Sequence, residues 1–588
     1  MSVSEIFNLI LIKPTRYDNR GYPAHWWISM IPSNSLACLY GIACDAVSRN
    51  ILGSNVTIRV RAIDEVNERV STRKLLQQIK KDGGKGLIGF VGVQSNQFPR
   101  MLDLAKGFLS ENIPVVVGGF HVSGSLSMLP EVPAEIQEAM DLGIGIFTGE
   151  AEDRRFDQVS QDAYDGKIQR LYDYNNKMPD LQDQPLPFLP ANQIMKSASG
   201  YGSFDLGRGC PFQCSFCCII NVQGRVSRHR ATDDLEQILR KNYEIGITRF
   251  FITDDNLARN RNWEAFFDRI IRMRRKEGIK LRFIIQVDTL CHRTPDFIKK
   301  AVKAGVDQIF IGFENINPDN LLATGKRQNH ITEYREMLLE WKKYPVVILG
   351  SFITGFPTDT KESILRDIEI IKRELPIDIF NPTILTPLPG SADHKRMLES
   401  GEWMDPVLNK YDLAHSVTHH PLMSKSEWES AWDEMFESFY TMEHMETILR
   451  RMVALGSGKR LTTINRLVWY SELIKRSSAP SFDAGLWPIR HRRDRRPGMK
   501  LESIPVFWYR YLKEAIGITF FAKLTYWRLR WIMWKIEHDP KRMDYIDDAI
   551  RPVEDADFDN LKLFSTTRGG KAAVAKQRRI NAGKKKTA

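Results

Sequence analysis

The residues with the most chemistry fall in one short run, Gly207-Arg-Gly-Cys-Pro-Phe-Gln-Cys-Ser-Phe-Cys-Cys. Cys210, Cys214 and Cys217 stand at a C-x3-C-x2-C spacing, directly after an apolar segment that reads as a β-strand. A loop of this length can turn three thiolates toward one iron–sulfur cubane. Three ligands leave the fourth iron open, much as a catalytic zinc keeps one position free. Two other chemistries fit less well. A structural zinc site would show paired C-x2-C arms or a Cys/His arm, and neither is present. A cluster used only for storage or electron transfer would take a fourth cysteine. Cys218 adjoins Cys217 and should point elsewhere, while Cys291 lies far along the chain. Seven cysteines in 588 residues, four of them between positions 210 and 218, exclude a disulfide scaffold and imply a reducing compartment.

Such a loop must be held by a rigid framework, and the chain spells out two. Short apolar runs at Ile6–Ile12, Val56–Val60, Gly86–Val91, Val115–Val117 and Ile144–Phe147 alternate with segments of helical length. Continuous apolar strands with helices between them predict a doubly wound parallel sheet. Its carboxyl ends, Gly92-Val-Gln-Ser-Asn, Gly118-Gly-Phe-His-Val-Ser-Gly and Thr148-Gly-Glu-Ala-Glu, are glycine-rich and polar, as a ligand rim requires. A second series, Gly202–Leu206, Arg249–Thr253, Arg282–Val287, Gln308–Phe313, Val346–Ile353 and Ile377–Leu385, predicts a (β/α)6 partial TIM barrel with its site at the carboxyl face. The fold class is therefore α/β. Residues 1–176 form a Rossmann-like domain, 177–200 a Pro-rich linker and 201–400 the barrel. Residues 401–450 form a helical cap, 451–570 a basic, aromatic-rich helical extension and 571–588 a disordered basic tail.

Polar residues recur where successive barrel strands should end: Asp254 and Asp255, then Gln286, then Glu314, then Thr354 and Gly355. Any one of them reads as a cap or loop hydrogen bond. Their recurrence suggests a ring of ligand contacts. Lys326 could pair a carboxylate or phosphate, or simply be a solvated ion pair. His415, His419 and His420 could supply a proton, although surface histidines account for them equally well.

The cysteine loop, with Phe216 before its third cysteine, resembles the radical S-adenosylmethionine superfamily. The preceding parallel domain and the phrases Gly312-Phe-Glu-Asn, Gly355-Phe-Pro and Leu385-Thr-Pro-Leu-Pro-Gly-Ser resemble its cobalamin-binding branch. The resemblance spans about residues 1–450. It implies a [4Fe–4S] cluster on Cys210, Cys214 and Cys217, with S-adenosyl-L-methionine chelating the open iron and cleaved to a 5′-deoxyadenosyl radical. It also implies a cosubstrate pocket of Phe216, Asp254, Asp255, Gln286, Glu314, Thr354 and Gly355, where glycine lets an adenine approach the backbone. Many cobalamin domains carry Asp-x-His-x-x-Gly after the first strand. Lys13-Pro-Thr-Arg-Tyr-Asp-Asn-Arg-Gly-Tyr-Pro-Ala-His25 departs from it, so cobalamin is expected without a histidine ligand, its tail against Gly118, Gly119 and Ser123. Methylation of an unactivated carbon is the expected activity. Ring closure, oxidation or rearrangement on a porphyrin- or lipid-like substrate is the alternative, and a cluster-bearing scaffold protein the non-enzymatic one. RNA methylthiolation would need a second three-cysteine cluster, and the N-terminal half offers only Cys38 and Cys44.

The charge is lopsided. The chain carries +12, yet residues from Arg451 onward hold 30 Lys/Arg against 14 Asp/Glu, or +16, leaving −4 for the rest. A nucleic-acid partner is therefore not expected, and the basic extension bears on docking. Phe520, Leu524, Trp527, Trp531 and Trp534 share one helix face flanked by Lys523, Arg528, Arg530 and Lys535. Leu529, Ile532, Met533 and Ile536 make the other side apolar too, so packing is expected ahead of membrane-surface contact. No signal peptide or apolar run of spanning length is seen, and a cytoplasmic enzyme follows, at most peripheral to the inner membrane face. Its partners would be a small-molecule, lipid- or pigment-like substrate and a reductant such as a flavodoxin or ferredoxin.

Overall fold

The computed structural model describes residues 5–198, 200–477 and 483–587. The first sheet has six parallel strands in the order Val56–Asp64, Glu5–Lys13, Lys85–Phe90, Val115–Gly118, Gly145–Thr148, Leu171–Asp173. Its central strands are apolar on both faces because helices cover both, and Phe7, Leu9, Leu11, Leu87 and Val115 are fully buried. The order reverses between Glu5–Lys13 and Lys85–Phe90. That switch point opens a crevice beyond the carboxyl ends. The sixth strand, Leu171–Asp173, has too few residues to show a pattern in the sequence.

The second sheet also has six parallel strands, now in chain order: Tyr201–Phe204, Arg249–Ile252, Arg282–Val287, Val306–Glu314, Val347–Thr354, Ile379–Ile384. It curves into an open barrel. Phe313 and Phe352 stack across neighbouring strands with centroids 5.3 Å apart, and Arg466 of the helix Arg460–Val468 bonds Gln308 at the amino end. The α/β expectation and both strand series hold, with boundaries within a few residues.

The Pro-rich stretch is extended but closely packed. Leu181, Leu189 and Ile194 are buried, and Phe188 N–H donates to the Ala37 carbonyl. A pairing absent from the sequence reading joins the two ends of the chain, where His25–Ser29 runs antiparallel to Gly485–Ile489. One expectation fails in the extension and another gains detail. The stretch 571–588, expected to be disordered, lies within the helix Arg568–Thr587 apart from its last residue. Alanine, lysine, arginine and glutamine are good helix formers there, and Val574 is buried against the barrel side. The 35-residue helix Ile504–His538 does pack, but with the face opposite the tryptophans. Ala515, Ile518, Leu529, Met533 and Ile536 are buried, while Phe520, Trp527, Trp531 and Trp534 are exposed. The small Ala515 and Ala522 let its axis approach the neighbouring helices, which bulky indoles could not.

Candidate active site

The cysteine loop follows the short strand Gly207–Arg208, and its backbone is tied down on several sides. Gly209 has φ +91°, and a Cβ there would sit 2.5 Å from the Val226 carbonyl oxygen, so only glycine fits. Cys210 N–H donates to Gly224, Ser215 N–H to Thr324, and Cys217 N–H closes a turn onto Cys214. Ser215 Oγ donates to the Asp393 carboxylate at 3.0 Å. Cys210, Cys214 and Cys217 are all free thiols. Burial pushes the Cys210 thiol up, with Asp255 adding to the effect, and pushes Cys217 up with Cys218 adding. Among the described residues no three His, Cys, Asp or Glu side chains converge to hold a single ion. Thiols spread along a loop suit a polynuclear cluster, in which each sulfur takes a different iron.

A charge balances these thiols. Lys326, buried, donates from Nζ to Glu314 Oε1 at 2.5 Å, and its ammonium lies 5.8 Å from the Phe216 ring centroid. Burial opposes the Lys326 charge. Glu314 and the Cys214 and Cys217 sulfurs outweigh it and hold the amine above the usual lysine range. Gln328 Nε2 lies 3.6 Å from Cys214 Sγ. Lys326 is therefore no solvated pair, and Gln328 was not singled out in the sequence. Glu314 takes a left-handed conformation, φ +62°, at the end of its strand, which turns its carboxylate toward this pocket.

The strand-end ring is partly taken up by structural duties. Asp254 accepts from the backbone N–H of Leu206 and Gly207 and from Asn260 Nδ2, at 2.7, 3.0 and 2.8 Å. It buckles the first strand to the second, and three of its acceptor positions are taken up by the protein itself. Burial nonetheless pushes it up to about 6. Asp255 is different: burial and then Asp254 push it up to about 7, and its charge in turn pushes the Cys210 and Cys217 thiols up. Gln286 Nε2 donates to the Asp254 carbonyl at 3.3 Å. Thr354 Oγ1 donates to Thr383 O at 3.3 Å. Gly355, expected to admit an adenine, meets the Trp428 indole instead. A Cβ there would lie 2.0 Å from Trp428 Cζ2, and Gly355 N–H is held by Asp359. The glycine is needed for close packing, and a tryptophan some seventy residues away fills the space.

None of the three histidines faces the thiols. His415 bonds Asp412 and Asn19, His419 stacks on Trp403, and His420 bonds the Phe356 carbonyl.

One cavity is lined by the loop itself and a second by residues that flank it in the chain. The barrel cavity encloses about 1040 Å³ open to solvent. Phe216, Cys217, Cys218 and Glu314 line one wall, mainly apolar groups such as Phe310, Ile353 and Trp432 the others. The crevice of the first sheet encloses about 960 Å³ and is lined by Gly118, Gly119 and Ser123, as expected, and by Val222 and Gln223 just after the cysteine loop. Gly119, at φ +147°, sits against Val93 backbone, where a Cβ would fall 2.1 Å from nitrogen. Ser123 Oγ accepts from Gly149 N–H at 3.1 Å. No histidine lines this crevice.

Along the crevice runs a buried ion network that sequence reading missed. Arg208 pairs Glu150, Glu152 and Asp205, Arg228 pairs Glu150, and Arg230 pairs Asp205. The Cys38 thiol donates to Asp205 at 3.2 Å. The partners come from both sheets, so the network fixes one cavity against the other. Their sequence separations leave no local signal.

Residues 205–371 match the Radical SAM superfamily. Residues 205–371 are thus a radical SAM domain. This radical SAM barrel has relatives that resemble it further along the chain. Bacteriochlorophyllide d C-8(2)-methyltransferase from Chlorobaculum tepidum is 26% identical over 58% of this chain and 74% of its own length. Hopanoid C-2 methylase from Rhodopseudomonas palustris is 24% identical over 53% and 57%. A solved structure of the radical S-adenosylmethionine methyltransferase TsrM from Kitasatospora setae, with cobalamin and a [4Fe–4S] cluster bound, is 14% identical. It superposes with a TM-score of 0.52 over 67% of this chain and 78% of its own. The fold of this radical SAM enzyme, a Rossmann-like sheet ahead of an open barrel, is thus shared with TsrM.

Proposed function

We propose that this radical SAM enzyme is cobalamin-dependent and methylates an unactivated carbon of a small, largely apolar substrate held in the barrel. One observation carries the reading: the barrel cavity is lined by Phe216, Cys217 and Cys218 of the cysteine loop, and the crevice of the first sheet by Arg208, Val222 and Gln223 on either side of it in the chain. A methyl carrier in one and a substrate in the other would face each other there.

Cys210, Cys214 and Cys217 would hold the [4Fe–4S] cluster. Their free state, their spread along one loop and the adjacent Lys326 ammonium fit an anionic thiolate set. Asp255 and Gln286, with Glu314 oriented by Lys326, would receive the amino and ribose groups of S-adenosylmethionine, and Phe216 would wall its pocket. Asp254 and Gly355 shape that pocket from behind. The glycine-rich crevice with Gly118, Gly119 and Ser123 would take a corrinoid tail, and its lining offers the cobalt no imidazole. When bound, the cluster and S-adenosylmethionine supply a carbon-centred radical, and cobalamin supplies the methyl group. The mainly apolar barrel wall would hold the apolar part of the substrate near the loop. A small electron-transfer protein of the flavodoxin or ferredoxin kind would reduce the cluster, in the cytoplasm or at the inner face of the membrane.

The test is anaerobic reconstitution with iron, sulfide and hydroxocobalamin. Iron and corrinoid are assayed after gel filtration, followed by mass spectrometry of products from host lipids and pigments. A methylated product with near-stoichiometric corrinoid is expected. Oxidised or cyclised product without corrinoid would replace methyl transfer by the ring-closure reading, and no S-adenosylmethionine cleavage under a strong reductant would end both.

A further inference from the structure

The helix Ile504–His538 runs for about 50 Å, at 1.5 Å per residue. Its buried side is satisfied by the barrel-side helices. On the opposite side Ile516, Phe520, Trp527, Trp531 and Trp534 succeed one another at three- to seven-residue steps, and the last three are 66%, 57% and 55% exposed. A helix on a soluble surface usually turns polar residues outward. Here the outward line is aromatic, longer and more continuous than the scattered apolar residues of an ordinary surface.

Charge on this helix has one sign outward. Lys523, Arg528, Arg530 and Lys535 are exposed beside the aromatic line, and Lys535 Nζ lies 3.4 Å over the Trp531 ring. The helix has two acidic residues, and both turn inward to partners: Glu514 to Arg490 at 2.7 Å, Glu537 to Arg460 at 2.6 Å. The exposed side therefore presents apolar rings and cations and no carboxylate.

We propose that this face docks the enzyme on an anionic lipid bilayer, with the helix lying in the interface plane. Tryptophan suits that depth, its ring among acyl chains and its N–H among headgroups, while lysine and arginine reach up to phosphates. A spanning role is excluded for this helix, which is not apolar enough to cross a membrane. A second copy of the chain is a poor occupant, because a two-fold pairing would set cationic rows against each other with no carboxylate between them. A nucleic-acid duplex, its bases already stacked, would leave the indole line in water.

The same helix also lies close to the barrel wall. Ile474 lines the barrel cavity, and the next residues, Lys475 and Arg476, lie in a groove with Lys513 and Gly517 of the helix. Arg476 stacks over Phe521 of the same helix at 3.7 Å. An apolar substrate, on the reading above, could pass from the bilayer into the barrel without crossing bulk water.

The experiment is co-sedimentation of the full chain with vesicles of phosphatidylcholine alone or mixed equally with phosphatidylglycerol. At low salt the mixed vesicles should bind at least about tenfold tighter, and salt should weaken that binding. Trp527→Glu/Trp531→Glu should lower binding about tenfold or more. Lys523→Glu/Arg528→Glu/Arg530→Glu should erase the preference for the anionic lipid. Circular dichroism melts matching the wild type show that these exposed changes leave the fold intact. Equal binding to both vesicles, or wild-type binding by the double tryptophan variant, overturns the proposal. So does a dimer in sedimentation equilibrium that the same variant dissociates. S-adenosylmethionine cleavage by the wild-type chain without vesicles is scored separately: its loss while the wild type docks counts against the catalytic reading, and its retention while the wild type fails to dock counts against this one.

Discussion

Lys326 Nζ and Glu314 Oε1 lie 2.5 Å apart in a pocket walled by Phe216 and bordered by Cys214 and Cys217. The two residues come from opposite ends of the loop after the fourth barrel strand, and burial makes their pairing obligatory. Lys326→Met would strand a buried carboxylate and should cost about 3–5 kcal/mol in denaturant unfolding. Lys326→Met/Glu314→Gln removes both charges and should recover most of it. Equal costs for the single and double variants would show that the pair carries no coupling.

The three loop cysteines should be separable from their neighbour. Cys210→Ala, Cys214→Ala and Cys217→Ala should each abolish the visible absorbance of the reconstituted cluster and S-adenosylmethionine cleavage. Cys218→Ala should keep both. Loss of iron from the Cys218 variant, assayed directly, would make it a ligand and break the C-x3-C-x2-C assignment.

Gly355→Ala should destabilise by about 2–4 kcal/mol, because a methyl group at φ +91° meets the Trp428 ring. In a Trp428→Ala background only the left-handed strain remains, about 1 kcal/mol. Urea midpoints of the four proteins test this, and a full cost without the indole would refute the packing account.

His444 is buried against Phe439, ring centroids 4.6 Å apart, and burial, reinforced by Arg451, pushes its pKa down to about 2. The unfolded chain therefore binds a proton below about pH 6.5 that the folded protein refuses, so stability falls on acidification. Between pH 7.5 and 5 the loss from this residue should be about 2 kcal/mol. His444→Gln should flatten that part of the pH profile. An unchanged acid slope would place the lability elsewhere.

Removing Arg208 should do more than loosen one contact. It would leave Glu150, Glu152 and Asp205 buried with fewer cations, so Arg208→Met should unfold at a markedly lower midpoint, by about 3–5 kcal/mol. Because the network ties the two sheets together, limited proteolysis should then cut between them near residues 177–200. A protected variant would mean the sheets are held by other contacts.

Much of this protein is written locally. Cys210, Cys214 and Cys217 announce their chemistry by spacing alone, since a short loop limits where three thiolates can point. Both parallel sheets are visible because strands buried on both faces must be continuous apolar runs, and Ile6–Ile12 or Arg282–Val287 cannot be read otherwise. What the sequence left open depends on partners distant in the chain. Asp254 and Asp255 are adjacent and identical in type, yet one is held by Leu206, Gly207 and Asn260 while the charge of the other acts on the thiols. Gly355 reads as space for a ligand until Trp428 arrives to fill it. Arg208 and Glu150 are unremarkable until folding removes water from around them. The aromatic helix shows the limit most plainly: both of its faces are apolar, and periodicity cannot say which one is covered. The small residues Ala515 and Ala522 permit the closer approach to the barrel, and only the assembled helices decide that the tryptophans face outward. Local spacing determined what chemistry the chain carries. Tertiary packing decided which of its polar and aromatic groups remain free to use it, because burial and hydrogen-bond satisfaction are settled by neighbours the sequence does not place side by side.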